Sequence, residues 1–306
     1  MAFDRRELLA GLGGVAASAA LGLVRTEAEA QGGAARGGLP RRQDFAIPAG
    51  QTYLNSAYIH PMPLGAVEAV RLNTESLARQ GVQRKVGDAK AEFAALINAK
   101  PSEICVVPNT TTGENLVVAG LDIARNDGNV VTDELHFEGA LIHLYELQRR
   151  GLDLRVVKAK QGRIELADLE TVVDRKTRLV EVSAVAMNNG FQPDLKTVCD
   201  LAHAHGAIVY ADLAQAAGSV PIDVRATGLD CAACSSFKWL MGDFGFGFLY
   251  VREDLLGRIV HRSQYGYYGA ATIDGHRLPF ETPGEQAYSW TMKSDASGLF
   301  EIGSYG

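Results

Sequence analysis

The chain has 306 residues, enough for one large domain or two small ones, and its 47% hydrophobic and 22% charged content is that of a globular protein. A formal net charge of -6 excludes a broad nucleic-acid surface, which needs clustered Lys and Arg, and ten prolines leave little room for a disordered chain. Four cysteines, Cys105, Cys199, Cys231 and Cys234, are too few for a disulfide scaffold at this length.

The N-terminal stretch MAFDRRELLAGLGGVAASAALGLVRTEAEAQ carries Arg5-Arg6, then an apolar run rich in Ala and Gly, then Ala28-Glu29-Ala30 before Gln31. That order is the charged region, apolar region and A-x-A cleavage site of a secretory signal. Adjacent arginines followed by Glu7-Leu8-Leu9 give it the twin-arginine form. The expectation is a signal peptide over 1–30, the export machinery as partner and a periplasmic location. Only 18 residues separate Arg6 from Arg25, and many are small, so no permanent membrane span is expected. The Gly- and Arg-rich QGGAARGGLPRR has no apolar period and predicts a linker over 31–44, with ordered structure from Phe45 or Tyr53.

Farther along, short β-branched runs predict strands over 104–109, 129–134, 154–159, 177–185, 207–212 and 246–251. Between them, 113–124, 137–151, 167–175 and 194–206 have helical patterns. Alternation of helices with strands apolar on both faces predicts a mostly parallel α/β sheet covered by helices. Ligands of such sheets collect beyond the carboxyl ends of the strands.

Three stretches at those ends carry chemistry. In PNTTTGENL, Asn109, Thr110, Thr111, Thr112 and Gly113 follow a strand and open a helix, either as an anion site or as a plain N-cap. In IVYADLAQ, Asp212 ends an apolar strand and Gln215 follows; the carboxylate either meets a cation or caps the next helix. In SSFKWL, Lys238 stands in an apolar surround, where it either snorkels outward or becomes a nucleophile by desolvation. A phosphate cradle, a carboxylate for a pyridinium nitrogen and an imine-forming amine are together what pyridoxal 5'-phosphate (PLP) requires.

With YLNSAYIHPMP (53–63), the stretches YADLAQAAGSVPIDV and SSFKWLMGDFGFGFLYVRED resemble the class V aminotransferase group of fold-type I PLP-dependent enzymes. That group includes cysteine desulfurases, kynureninases and isopenicillin N epimerase-like proteins. The resemblance runs from residue 53 to the end. It implies a PLP-binding large domain over 45–290 and, over 291–306, the start of a truncated C-terminal small domain. Lys238 would form the Schiff base and carry protons, Asp212 would pair with the pyridine nitrogen, and Gln215 would bond the ring's 3-oxygen. Thr111, Thr112 and Ser236 would hold the phosphate. Phe137 falls where relatives stack a ring over the cofactor, and a shift of one residue would put His136 there instead.

Several positions depart from the group. Phe237 stands where many relatives have a phosphate-binding His, and Met187 where they have an Asn, with Asn188 and Asn189 next in line. In LFEIGSYG, Ser304 takes the place of a Thr that reaches a neighbouring subunit's phosphate in relatives, and Arg262 and Arg277 do not have the spacing of the substrate-carboxylate arginine. A homodimer acting on a small amino acid is implied, with aminotransferase or epimerase-like chemistry. The alternatives are a C–S lyase or cysteine desulfurase and, outside enzymology, a non-catalytic PLP-fold binding protein.

Other patterns are bland. Cys231 and Cys234 have C-x-x-C spacing, but three residues along a strand put them on opposite faces. His203 and His205 are expected to cap a helix C-terminus, with no metal ligands beside them. Gly242, Gly245 and Gly247 lack the helix that a dinucleotide fingerprint needs, and are expected to let the backbone turn past the cofactor.

Overall fold

The computed structural model describes residues 41–80, 87–123, 128–274 and 289–303. The signal-peptide reading, most of the linker, Arg277 and Ser304 lie outside the described residues. Of the expected linker, Arg42–Asp44 form a 3-10 turn, and the Arg42 guanidinium donates to the carbonyls of Pro48 and Gln51 at 2.7 and 2.8 Å.

The described chain opens with α1 (Leu64–Gln80) and α2 (Gly87–Leu96). A regular alternation follows: β1 (Ile104–Val107), α3 (Thr110–Leu121), β2 (Asn129–Asp133), α4 (Glu138–Arg149), β3 (Asp153–Val157), α5 (Leu166–Glu170) and β4 (Thr177–Ser183). Then come α6 (Leu195–Ala204), β5 (Ile208–Asp212), α7 (Val224–Thr227), β6 (Cys231–Ser235) and β7 (Gly247–Val251). A separate hairpin of β8 (Ala270–Asp274) and β9 (Ser289–Met292) precedes α8 (Ala296–Phe300).

Strands β1 to β7 form one seven-stranded sheet in the order β1-β7-β6-β5-β4-β2-β3. Its pairings are parallel except at β7, which runs antiparallel to both β1 and β6. The exception has a local cause: β6 reaches β7 through the tight loop carrying Lys238, with no helix to return the chain for a parallel pairing. The 104–109 strand ends two residues early because Asn109 leaves it to cap α3, its Oδ1 accepting the Thr112 N–H at 2.8 Å. The 167–175 helix stops at Glu170, and Asp174 binds Arg155 and Asn129 beyond it.

The sheet is buried on both faces, so its side chains alternate between two apolar layers. Val180, Val209, Ala232 and Cys234 meet α2 and α6 on one side; Leu179, Ile208, Cys231 and Ala233 meet α3, α4 and α8 on the other. Cys231 and Cys234 therefore face opposite layers, both buried and free. Helix α6 buries Leu195, Val198, Cys199 and Ala202, one stripe at i, i+3, i+4, i+7 spacing. Gly113 lets α3 lie directly on β6, since a Cβ there would sit 2.7 Å from that of Ala233. No helix among the described residues is long and apolar enough to cross a membrane.

Candidate active site

The carboxyl ends of β4, β5 and β6 and the N-terminus of α3 converge on one edge of the sheet. A reciprocal clasp fixes this edge. The Thr110 N–H donates to Ser235 Oγ at 3.0 Å, the Ser235 N–H donates to Thr110 Oγ1 at 3.0 Å, and the two hydroxyls lie 2.8 Å apart. Both residues are buried. From sequence Thr110 belongs to the candidate anion site or cap at the opening of the helix, whereas Ser235 has no assigned role there.

Asp212, the last residue of β5, is buried and accepts the Ala214 N–H at 2.7 Å. Burial pushes its carboxyl up to about 6, partly offset by that bond and by the Lys238 amine. The Lys238 amine is in turn pushed below its ordinary value, chiefly by burial, with Asp212 opposing the shift. Its Nζ stands 5.5 Å from the centroid of the Phe137 ring and 6.0 Å from that of Phe237. Lys238 lies in a tight loop. The Met241 N–H donates to its carbonyl, the Gly242 N–H donates to that of Ser236, both at 2.8 Å, and Met241 takes a left-handed φ of 56°. Gly242 is required there, because a Cβ would lie 2.7 Å from that of Ser236. Among the described residues, no group of His, Cys, Asp or Glu could hold a metal ion.

Residues 45–60 strap across this loop. Gln215 Nε2 donates to the Ala57 carbonyl and Trp239 Nε1 donates to Gln215 Oε1, each at 2.8 Å; the His60 N–H donates to the Phe237 carbonyl at 3.1 Å. Phe237 stacks on Phe244 with ring centroids 4.5 Å apart.

The structure thus brings Asp212, Lys238 and Phe137 together and leaves Thr111 exposed at the opening of α3. It separates Phe137 from His136. Phe137 faces Lys238, whereas His136 is buried, bonded through Nδ1 to Ser183 Oγ at 2.9 Å and pushed down to about 3 by burial. Two expected ligands spend their donors elsewhere, Ser236 Oγ on the Asp243 carbonyl at 2.7 Å and Thr112 Oγ1 on Asn109 Oδ1 at 3.1 Å, while Gln215 commits one of its two amide N–H groups to Ala57. The Ser236 acceptor is a backbone carbonyl brought close by the tight loop, the Thr112 acceptor is the capping Asn109 side chain, and the Gln215 acceptor comes from the strap. Asn189 braces a turn through Gly162 and Phe191, and Met187 is exposed. His205 caps the Leu201 carbonyl as expected, but His203 binds the buried Asp230 at 2.7 Å.

The class this fold and site define is the large domain of a fold-type I PLP-dependent transferase. The chain belongs to the aminotransferase class-V family, whose model matches residues 67–283. It is 35% identical over 229 residues to a probable cysteine desulfurase of Methanothermobacter thermautotrophicus, covering 71% of this chain and 57% of that one. It is 34% identical over 193 residues to a cysteine desulfurase of Escherichia coli, covering 61% and 47%. The chain spans about half the length of the curated relatives it matches. Among solved structures, the apo cysteine desulfurase of Thermococcus onnurineus NA1 superposes with a TM-score of 0.72 at 23% identity, over 86% of this chain and 66% of that one. A mutant of C-DES, with glycine covalently linked to its PLP cofactor, gives 0.72 at 24% identity over 87% and 70%. The cystine C–S lyase C-DES in complex with its product cysteine persulfide gives 0.67 at 25% identity over 84% and 68%.

Proposed function

We propose that the chain carries the cofactor site of a PLP-dependent enzyme that cleaves the C–S bond of a sulfur-containing amino acid. The observation that carries the cofactor site is the buried Asp212 carboxyl facing the desolvated Lys238 amine at the carboxyl edge of the sheet. Those groups fit PLP: a buried anion for the ring nitrogen, an amine of reduced basicity for the aldehyde carbon, and Phe137 for a ring face. The opening of α3 at Thr111 suits the phosphate. Bound PLP supplies an electron sink for negative charge developing at a substrate α-carbon. Asp212 would keep a proton on the ring nitrogen, and Lys238 Nζ would be the base placed to take the substrate α-proton and return it.

The relatives named as cysteine desulfurases, and the lyase among the structural neighbours, support C–S chemistry over the aminotransferase or epimerase-like branch. The four cysteines are all buried, and burial raises their thiols, Cys199 to about 12. None of these four thiols is placed to accept sulfur. Transamination is the second reading, favoured by the match to an uncharacterized aminotransferase of Bacillus subtilis at 29% identity. Export through the twin-arginine route rests on Arg5-Arg6 and the A-x-A site, and a homodimer is supported by the exposed Leu54 and Tyr58 on the strap.

The test is addition of PLP followed by borohydride reduction and peptide mapping. The expected result is cofactor fixed on Lys238, with the long-wavelength absorbance absent from Lys238→Ala. Sulfide released from cysteine or cystine supports lyase chemistry; amino transfer to a keto acid without sulfide overturns it. PLP bound but never fixed by borohydride would make the chain a non-catalytic binder.

A further inference from the structure

The interior behind Asp212 holds three acids on one face of the sheet, and one of them has no partner. Glu181 of β4 lies in register with Thr132 of β2 and Tyr210 of β5. It is 0% exposed, and neither carboxyl oxygen has a hydrogen-bond partner. The Tyr210 hydroxyl and His136 Nε2 are also buried and unpartnered. Four such atoms in one place are unusual, because buried polar atoms are almost always bonded. His136 Nε2 approaches Glu181 Oε2 to 3.9 Å, too far for a hydrogen bond and short enough for slight movement or a bridging water to close.

The groups facing this layer come from every element packed on it. Helix α3 contributes Glu114, and α4 contributes His143, whose Nδ1 lies 2.7 Å from Glu114 Oε1. His136 precedes α4, while Tyr210 and Asp212 come from β5. Lys238 acts on Asp212 and His143 acts on Glu114. The basic group that approaches Glu181 is His136, which burial keeps neutral. Burial, together with the nearby Glu114 and Asp212, pushes Glu181 far above the usual carboxylate range.

We propose that Glu181 is a positioning residue for Asp212: a carboxylic acid held neutral in the interior, its one proton available to His136 Nε2 and its carbonyl oxygen to the Tyr210 hydroxyl, so that negative charge beside the site is concentrated on Asp212. An ionised Glu181 would place a second anion behind Asp212 and raise its affinity for a proton. A neutral Glu181 leaves Asp212 as the anion that meets Lys238. The role of Asp212 rests on the PLP reading; the protonation of Glu181 does not.

Three measurements on the full chain separate these. Infrared difference spectra of cofactor-free wild type against Glu181→Gln at pH 8 should show a protonated-carboxyl stretch that the substitution removes. Absence of that difference overturns the proposal whether or not PLP binds. In PLP titrations, Glu181→Gln keeps a neutral polar group and should hold affinity within about twofold, while Glu181→Leu should weaken it about tenfold, because it leaves the buried His136 Nε2 and Tyr210 hydroxyl with only an apolar neighbour. The pH at which the long-wavelength absorbance titrates should move with Glu181→Leu and be restored by Glu181→Gln. Equal behaviour of the two variants, or a tenfold loss with Glu181→Gln alone, overturns the positioning role. Failure of wild type to take up PLP overturns the functional reading, while the infrared result still decides Glu181.

Discussion

Asp212 and Lys238 are each unfavourable alone, since burial penalises a carboxylate and an ammonium alike. Their mutual attraction offsets part of that penalty, and the remainder keeps the carboxyl near 6 and the amine less basic than usual. The carboxyl has a pH signature. Its value in the folded chain lies above that of the unfolded chain, so the folded form binds the extra proton. Stability from this group is therefore complete below the unfolded value and is lost as pH rises through about 6. Asp212→Asn removes that loss. In urea unfolding of the cofactor-free chain, its stability relative to wild type should be greater at pH 7 than at pH 5, by on the order of 1 kcal/mol. An unchanged difference would mean that Asp212 ionises freely.

At the scale of elements, the site depends on where α3 meets β6. Asn109 caps the helix, Gly113 lets it lie close to the strand, and Thr110 clasps Ser235. Ser235→Ala leaves the buried Thr110 N–H without its acceptor and removes the hydroxyl pair, while the N–H of residue 235 still reaches Thr110 Oγ1; the cost is about 1–3 kcal/mol. Urea unfolding should show that loss, and PLP affinity should fall with it as the opening of α3 drifts from the end of β6. Stability lost with PLP affinity retained would show that the clasp holds the fold and does not place the anion site. At the opposite edge, His203 and Arg252 hold the buried Asp230, where Arg252 comes within 2.5 Å. A histidine that sequence spacing suggests as a cap is there a partner for a carboxylate brought near by β6.

For the whole molecule, the segment after the hairpin closes the sheet. Phe300 of α8 is buried in the layer shared with α3, and Glu301 accepts from Lys90 Nζ at 3.1 Å and from the Val106 N–H at 2.8 Å. The edge strand β1 is covered by these contacts, and α8 packs on the same sheet that carries the site. Phe300→Ala should cost about 3–5 kcal/mol by opening a cavity between α8 and β1. Limited proteolysis should then release the residues after the hairpin before the rest unfolds. Cleavage no faster than in wild type would show that the salt bridge alone holds α8.

Much of the fold was legible because parallel strands buried on both faces read as plain apolar runs, and each predicted run is a strand to within a few residues. Asp212 and Lys238 were legible for a related reason: an ionisable group inside an apolar run is conspicuous. Sequence could not place Phe137 against His136, since adjacent residues at a strand-to-helix turn point in different directions and only the packing of α4 decides which meets Lys238. Nor could it show that Ser236 and Thr112 spend their donors, and Gln215 one of its two, on other acceptors, or that Ser235 is the clasp. Those partners are distant in sequence or set by turn geometry. Glu181 in LVEVSAV is the sharpest case. By alternation it belongs on a buried face, but its lack of a partner appears only when β2, β4, β5, α3 and α4 are assembled around it. Sequence by itself determined the kind of sheet and the two groups of opposite charge at its edge, because hydrophobic patterning and desolvation act locally. Tertiary structure alone decided which neighbouring donors remain free and where the buried protons reside, because those depend on distances between segments far apart in the chain.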